Sequence, residues 1–334
     1  MLPQSSGRQD VGRLTPVWPD YDAEVRFRPT ARTSMTGFDV MLPYYGDIRL
    51  MQVAVGSVLA QSDPDWRLTV VDDGQEAGVP EWFASLGDDR VRYLRNPHNL
   101  GVTGNFRRCV DLAELPHMIM MGSDDVMLPN YIATVRAAIE EHPDVAIVQP
   151  GVEVINADGQ PVRTLADEVK RRVYAPRMTG RRVMGGEELA ASLLRGDWLY
   201  FPSLCWRTDA MKSAHFRDGL EVIQDLALII DLIARGERLA VESSVCFQYR
   251  RHVVSASAAT AVAGTRFTEA RNYFLDAADQ MAALGWARAA RAARRYTSSR
   301  LHAITLLPAA IRMRDATAIG NLCRHAFGPS RRSG

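Results

Sequence analysis

Trp66-Arg-Leu-Thr-Val-Val-Asp-Asp-Gly74 and His117-Met-Ile-Met-Met-Gly-Ser-Asp-Asp125 share one design: an apolar run of strand length that ends in a pair of aspartates. The chain around them alternates in the same way. Upstream, Phe38-Asp-Val-Met-Leu42 is a short apolar run, and Ile48 to Ala60 has helical spacing. Arg90 to Leu94 reads as a further strand, Gly101 to Leu115 as a helix, Tyr131 to Glu141 as another helix and Val145 to Val148 as another strand. Strands alternating with helices of this length imply βαβ units and a mostly parallel central sheet flanked by helices, an α/β fold. Parallel sheets of this kind bind ligands at the carboxyl ends of their strands. Both acidic pairs fall there, which turns two common dipeptides into a candidate site.

The composition sets limits on function. A chain of 334 residues, 47% hydrophobic and 24% charged, has room for a substantial core. A net charge of +1 gives no global reason to expect nucleic acid as a partner. Cys109, Cys205, Cys246 and Cys323 are widely spaced without a C-x-x-C pair, which fits a reducing, cytoplasmic setting better than a disulfide framework or zinc site. No basic segment followed by an apolar run opens the chain, and the longest apolar stretches are too short to span a bilayer.

Two neighbouring carboxylates such as Asp124 and Asp125 are costly to bury without a counter-charge. A divalent cation shared with a diphosphate is a natural partner, because Mg²⁺-type ions take oxygen ligands and few of them from protein. Taken alone, each pair also reads as a strand-ending turn or a helix cap, with Gly74 supplying a positive φ.

The order of motifs adds to this. Val40-Met-Leu-Pro-Tyr-Tyr45, Ser57-Val-Leu-Ala-Gln61, Val70-Val-Asp-Asp-Gly74, Asn96-Pro-His-Asn-Leu-Gly101, Gly122-Ser-Asp-Asp125 and Leu128-Pro129 follow one another. In that order and spacing the chain resembles glycosyltransferase family 2, closely over residues 38–150 and more loosely over 190–255. The resemblance implies a GT-A (nucleotide-diphospho-sugar transferase) fold and an inverting transferase. It further implies a UDP-, dTDP- or GDP-sugar donor and a saccharide or lipid-linked acceptor.

By the same resemblance, Asp73 meets the nucleotide base, Asp124 the ribose or donor sugar, and Asp125 an Mn²⁺ or Mg²⁺ ion bridging the diphosphate. Pro43, Tyr45 and Asn105 join the donor side. Gln224-Asp225-Leu226 stands where the family has its acidic motif, so Asp225 is the expected general base; the alternative is a carboxylate stabilised by the helix dipole. Arg250-Arg-His252 resembles the carboxyl-terminal motif of GT-A enzymes, with Arg250 on the diphosphate and His252 as a further metal ligand, or else an exposed turn. One departure stands out: many family members carry Arg at the position of Phe106, and Arg107 or Arg250 is expected to supply that charge. Asp197 and Trp198, in Gly196-Asp-Trp-Leu-Tyr-Phe-Pro202, are candidates for an acceptor wall, although aromatic clusters also build plain cores.

The expected organisation is an arm (1–37), a nucleotide-sugar half (38–150), an acceptor half (151–264) and a helical extension (265–334). Asn156-Ala-Asp-Gly159 reads as a hairpin turn, and Leu165 to Gly186 as a polar, mobile loop. From Arg266 onwards the chain holds twelve arginines, no lysine and four acidic residues. Arg288, Arg291 and Arg295 share one helical face, which suits peripheral docking on an anionic membrane at the inner face of the cell. The competing expectation is that Trp286, Leu301 and Ile304 pack on the catalytic domain or form a homodimer contact. Two other functions compete with transfer. A sugar nucleotidyltransferase would carry a Gly- and Lys-rich loop after its first strand, where this chain has Pro43-Tyr44-Tyr45. A non-catalytic nucleotide-sugar-binding module would not need Asp225.

Overall fold

The computed structural model describes residues 37–177, 180–251 and 265–329. The expected arm lies outside these residues except for Gly37, and so does His252. The amino-terminal half runs β1 (Phe38–Tyr44), α1 (Ile48–Leu59), β2 (Trp66–Asp72), α2 (Val79–Ser85), β3 (Val91–Arg95), α3 (Gly101–Leu112), β4 (His117–Met120), β5 (Val126–Met127) and α4 (Tyr131–Glu141). Then come β6 (Ile147–Ile155), α5 (Leu165–Val169) with a π-helical turn (Lys170–Tyr174), β7 (Arg182–Gly185), α6 (Gly186–Arg195), β8 (Cys205–Arg207), α7 (Thr208–Ser213), α8 (Gln224–Ala234) and β9 (Arg238–Arg250). Four more helices follow: α9 (Thr265–Ala283), α10 (Ala287–Arg295), α11 (Thr297–Met313) and α12 (Ala316–Phe327).

One sheet of nine strands has the order β3-β2-β1-β4-β8-β6-β9-β5, with β7 also on β9. β3, β2, β1 and β4 are mutually parallel, as are β6 and β9; β8, β5 and β7 run antiparallel to their neighbours. The expected break between residues 150 and 151 falls inside β6. The alternation of side chains along the central strands explains why both faces are covered. Val40, Leu42, Leu68, Val70, Ile119 and Met121 point into one core with α1, α2 and α4. Met41, Val71, Met118 and Met120 point into the other, with α3, α6, α8, α9 and α10. The first helices of the extension are therefore part of the main core: Tyr273, Phe274, Ala277, Met281 and Tyr296 are all buried there.

The expected loop between Leu165 and Gly186 is a helix, a π-turn and a strand. Its polar composition hid a fixed anchor. Asp167 accepts hydrogen bonds from Thr164 Oγ1, Tyr200 Oη and both Nε and Nη2 of Arg251. The Asn156 turn is as expected: the Gln160 and Asp158 amides donate to Asn156 Oδ1, and Gly159 has φ of 79°.

Candidate active site

Register places the two acidic pairs on one rim. Tyr44 aligns with Asp72 across β1 and β2, the Asp73 amide donates to Tyr44 O at 2.8 Å, and the Met121 amide donates to Met41 O at 2.9 Å. Each parallel strand thus delivers its aspartates to the same carboxyl edge, where Pro43 is half-buried and Tyr45 is 67% exposed.

Asp72 and Asp73 divide the work. Asp72 faces inward and accepts from Tyr93 Oη, Arg95 Nε and the Gly74 amide, so it ties strand ends together. Asp73 is oriented by two donors to one oxygen: Asn96 Nδ2 at 2.6 Å and the Leu100 amide at 2.8 Å. Asn96 also donates to Asn105 Oδ1 at 3.1 Å, and Asn105 Nδ2 donates to Val71 O at 2.9 Å. Asn105, expected on the donor, is buried with both ends of its amide used inside the chain. Its visible task is to hold Asn96, which holds Asp73. Asn96 escaped the sequence reading as a site residue, although it opens the quoted Asn96–Gly101 motif.

The second pair is arranged differently. Asp125 is 1% exposed, and one of its carboxylate oxygens accepts the Arg250 amide at 2.8 Å. The other oxygen, Oδ2, is buried and has no partner. Burial first, and the charge of Asp124 second, hold the Asp125 carboxyl well above the usual carboxylate range. A buried, unpartnered carboxylate oxygen is expensive and has the chemistry of a hard-cation ligand, so the residue fits the metal role the sequence suggested. Among the described residues no cluster of three or more His, Cys, Asp or Glu side chains could hold a metal ion. Gly122 leaves the room this carboxylate needs, since a Cβ there would lie 2.4 Å from Asp125 Oδ2.

Arg250 is also 6% exposed, with a guanidinium spent on main-chain carbonyls: Nε on Asp124 O at 2.7 Å, and Nη1 on Asn156 O and Ala157 O at 2.9 Å each. Arg107 turns to Phe216 O and Asp218. Phe106 packs its ring against Phe201 and Phe216, with centroids 5.9 and 5.8 Å away. An apolar side chain suits that neighbourhood, and both guanidiniums named as substitutes for the missing charge are engaged elsewhere.

A contact between the halves of the chain fixes where the helix of Asp225 begins. Thr103, three residues after Leu100, donates to Gln224 Oε1 at 2.9 Å, which pins the start of α8 beside the start of α3. The Asp225 carboxyl is pushed up to about 6 by burial and then by the charge of Asp197, with the Leu226 amide and Lys170 acting the other way. Asp197 is likewise raised by burial, with Lys170 opposing. Lys170, in the stretch that reads as a loop, is thus an unforeseen member of the group; its Nζ donates to Leu199 O at 3.4 Å. Trp198 is 5% exposed and donates its indole N–H to Ser192 Oγ at 3.2 Å, so it stands mainly in the core. Two separate runs of neighbours result. One goes from Asp73 to the Leu100 amide, then along α3 to Thr103 and across to Gln224, next to Asp225. The other goes from Asp125 to the Arg250 amide, then from Arg251 to Asp167 and Tyr200.

A mostly parallel sheet flanked by helices, with two acidic pairs at the carboxyl ends of β2 and β4, is the arrangement of a GT-A fold. Residues 39–191 match the family description "Glycosyl transferase family 2". A Bacillus subtilis (strain 168) protein named "Putative glycosyltransferase EpsE" is 24% identical over 123 residues, 36% of this chain and 44% of that one. "Putative colanic acid biosynthesis glycosyl transferase WcaA" of Escherichia coli (strain K12) is 25% identical over 100 residues, 29% of this chain and 36% of that one. The chain spans less than half the length of these two curated relatives. Among solved structures, S. aureus TarS 1-349 in complex with UDP-GlcNAc superposes with a TM-score of 0.63 at 14% identity, covering 87% of this chain and 81% of that one. That likeness confirms the fold.

Proposed function

We propose that this chain transfers a sugar from a nucleoside-diphosphate donor to an acceptor hydroxyl, with inversion and with Asp225 as general base. The observation that carries the reading is the Thr103–Gln224 hydrogen bond, which sets the start of α8, and with it Asp225, beside the start of α3, whose preceding Leu100 amide holds Asp73. In this scheme the acceptor oxygen attacks the anomeric carbon while its proton passes to Asp225. The bond to the diphosphate oxygen breaks, and the nucleoside diphosphate departs. General-base help of this kind is worth roughly 10²–10⁴-fold. Asp73 would fix the base, Asp124 the ribose or sugar, and Pro43 and Tyr45 the walls of the donor cleft. Bound Mn²⁺ or Mg²⁺ would be held by Asp125 and the diphosphate, with His252 as a further ligand, and would supply Lewis-acid neutralisation of the leaving group. Asp197 would border the acceptor side, with the buried Trp198 backing it from the core rather than stacking on a sugar. The bound UDP-GlcNAc and UDP of the TarS structures support a UDP-sugar as the first donor to try. A saccharide or lipid-linked acceptor and a cytoplasmic setting complete the reading.

Incubation with UDP-sugars and Mn²⁺ tests it. Release of UDP that depends on Asp225 supports transfer or its hydrolytic side reaction. Release of pyrophosphate from a nucleoside triphosphate and a sugar phosphate would mean nucleotidyl transfer. Tight nucleotide binding with no turnover would leave a binding module.

A further inference from the structure

The carboxyl-terminal helices carry a surface that the transfer chemistry does not use. Arg288, Arg291 and Arg295 of α10 meet Arg195, from the last turn of α6, along one groove with Thr297 at its rim. Two acidic residues stand nearby and both are committed: Glu187 to Arg288, and Glu188 to Arg182. The face that the sequence offered for docking is therefore partly satisfied from within, and the groove keeps a surplus of guanidinium.

Thr297 is also the first residue of α11, so the groove ends where that helix begins. Leu301, Ile304, Pro308 and Ile311 follow Thr297 at helical spacing on one stripe. Leu301 is 53%, Ile304 38% and Ile311 59% exposed, and Met313 beyond them is 65% exposed. The opposite face holds Ala303 and Ala310, both fully buried. The helix is thus apolar on two sides but covered on one, which contradicts the expectation that Leu301 and Ile304 pack on the catalytic domain. At 1.5 Å per residue the stripe from Thr297 to Ile311 is about 20 Å long.

The charge of the region selects its occupant. Residues 287–329 contain eight arginines, no lysine and one acid, Asp315, whose carboxylate caps α12. A second copy seated on this face would set two arginine-rich surfaces against each other. A surface that offers phosphates beside hydrocarbon satisfies both halves: guanidinium binds phosphate oxygens in a fork, and the apolar stripe enters the acyl boundary. We propose that this surface docks on an anionic phospholipid bilayer. α11 lies in the plane of the interface, and the Arg195–Arg291–Arg295 groove takes headgroup phosphates. The proposal does not depend on the transfer reading, and each can fail alone.

The test is co-sedimentation of the full chain with vesicles of phosphatidylglycerol and phosphatidylcholine, or of phosphatidylcholine alone, at about 0.05 M and about 0.5 M salt. Binding is expected to the anionic vesicles at low salt, and to weaken at least tenfold at high salt or in the Arg291→Glu/Arg295→Glu variant. Ile304→Asp/Ile311→Asp should weaken binding similarly, with melting temperature and UDP-sugar hydrolysis in solution unchanged, because both side chains already face water. No pelleting with anionic vesicles at low salt overturns the proposal. So does a dimer in solution that Ile304→Asp/Ile311→Asp dissociates without altering vesicle binding.

Discussion

The main-chain N–H of Arg250 donates to one carboxylate oxygen of Asp125 at 2.8 Å, while the other oxygen is buried and unpartnered. This half-satisfied carboxylate is a local cost to the fold that a cation can remove. Asp125→Asn is isosteric and uncharged, so without metal it should raise the melting temperature by a few degrees, the scale of about 1 kcal/mol in a protein of this size. The same variant should lose the upward shift that Mn²⁺ with UDP gives the wild type. A Mn²⁺-dependent shift of normal size in Asp125→Asn would remove this residue from the metal site.

Asp225 predicts an acid limb in the pH profile. A base must be ionised to accept the acceptor's proton, and burial with Asp197 holds the proton on Asp225 up to about pH 6. Activity should therefore fall as pH drops through about 6. Asp197→Asn removes a like charge and should move the limb to lower pH, whereas Lys170→Met removes a favourable charge and should move it higher. Tyr273 also lies within electrostatic reach of Asp225 and Asp197. Its hydroxyl is pushed well above its usual range, so it stays neutral and should not contribute to the limb. Asp225→Asn should cut kcat by roughly 10²–10⁴-fold with the donor KM nearly intact. The check is kcat/KM against pH for all four proteins; a limb that stays fixed in both neighbour variants would assign it to another group.

Much of this was legible because it is local. Alternating apolar residues gave the strands their two faces, and a pair of aspartates at the end of an apolar run located the rim of a parallel sheet. What the sequence hid depends on contacts between distant segments. The family resemblance puts Asn105 on the donor side, yet its amide is consumed by Val71 and Asn96. Lys170 stood in a polar stretch with no period, and only its approach to Leu199 and Asp197 shows what it faces. Leu301 and Ile304 carried an apolar pattern that suited burial equally well, because a stripe of apolar residues does not say which side of a helix meets the core.

Asn96 and Asn105 should separate in their effects on donor binding. Asn96→Ala strips Asp73 of a 2.6 Å donor, and the loss of a hydrogen bond to a charged group costs about 1.5–3 kcal/mol. Donor KM should rise about tenfold or more with kcat little changed. Asn105→Ala takes away the side-chain donor to Val71 O and one acceptor of the Asn96 amide, which keeps its bond to Asp73, so its main effect should be a lower melting temperature. Isothermal titration with UDP and a thermal melt decide the matter. If Asn105→Ala weakens UDP binding while the melt is unchanged, Asn105 touches the donor directly.

Arg250 offers the sharpest choice between charge and geometry. If its guanidinium met the diphosphate, a lysine at that position would keep the charge, most of the donor affinity and all of the stability. Instead it forks across three main-chain carbonyls, those of Asp124, Asn156 and Ala157, which joins the loop before β5 to the turn after β6. An ammonium on a flexible stem cannot reproduce that planar set of donors. Arg250→Lys should therefore lower the melting temperature almost as much as Arg250→Gln, by on the order of 5 °C, with no ligand present. Donor KM should rise in both variants as a secondary effect, because the Asp124–Asp125 loop loses its brace. Thermal melts of the two variants without nucleotide are the measurement. A wild-type melt for Arg250→Lys with a weakened donor KM only in Arg250→Gln would return Arg250 to the diphosphate.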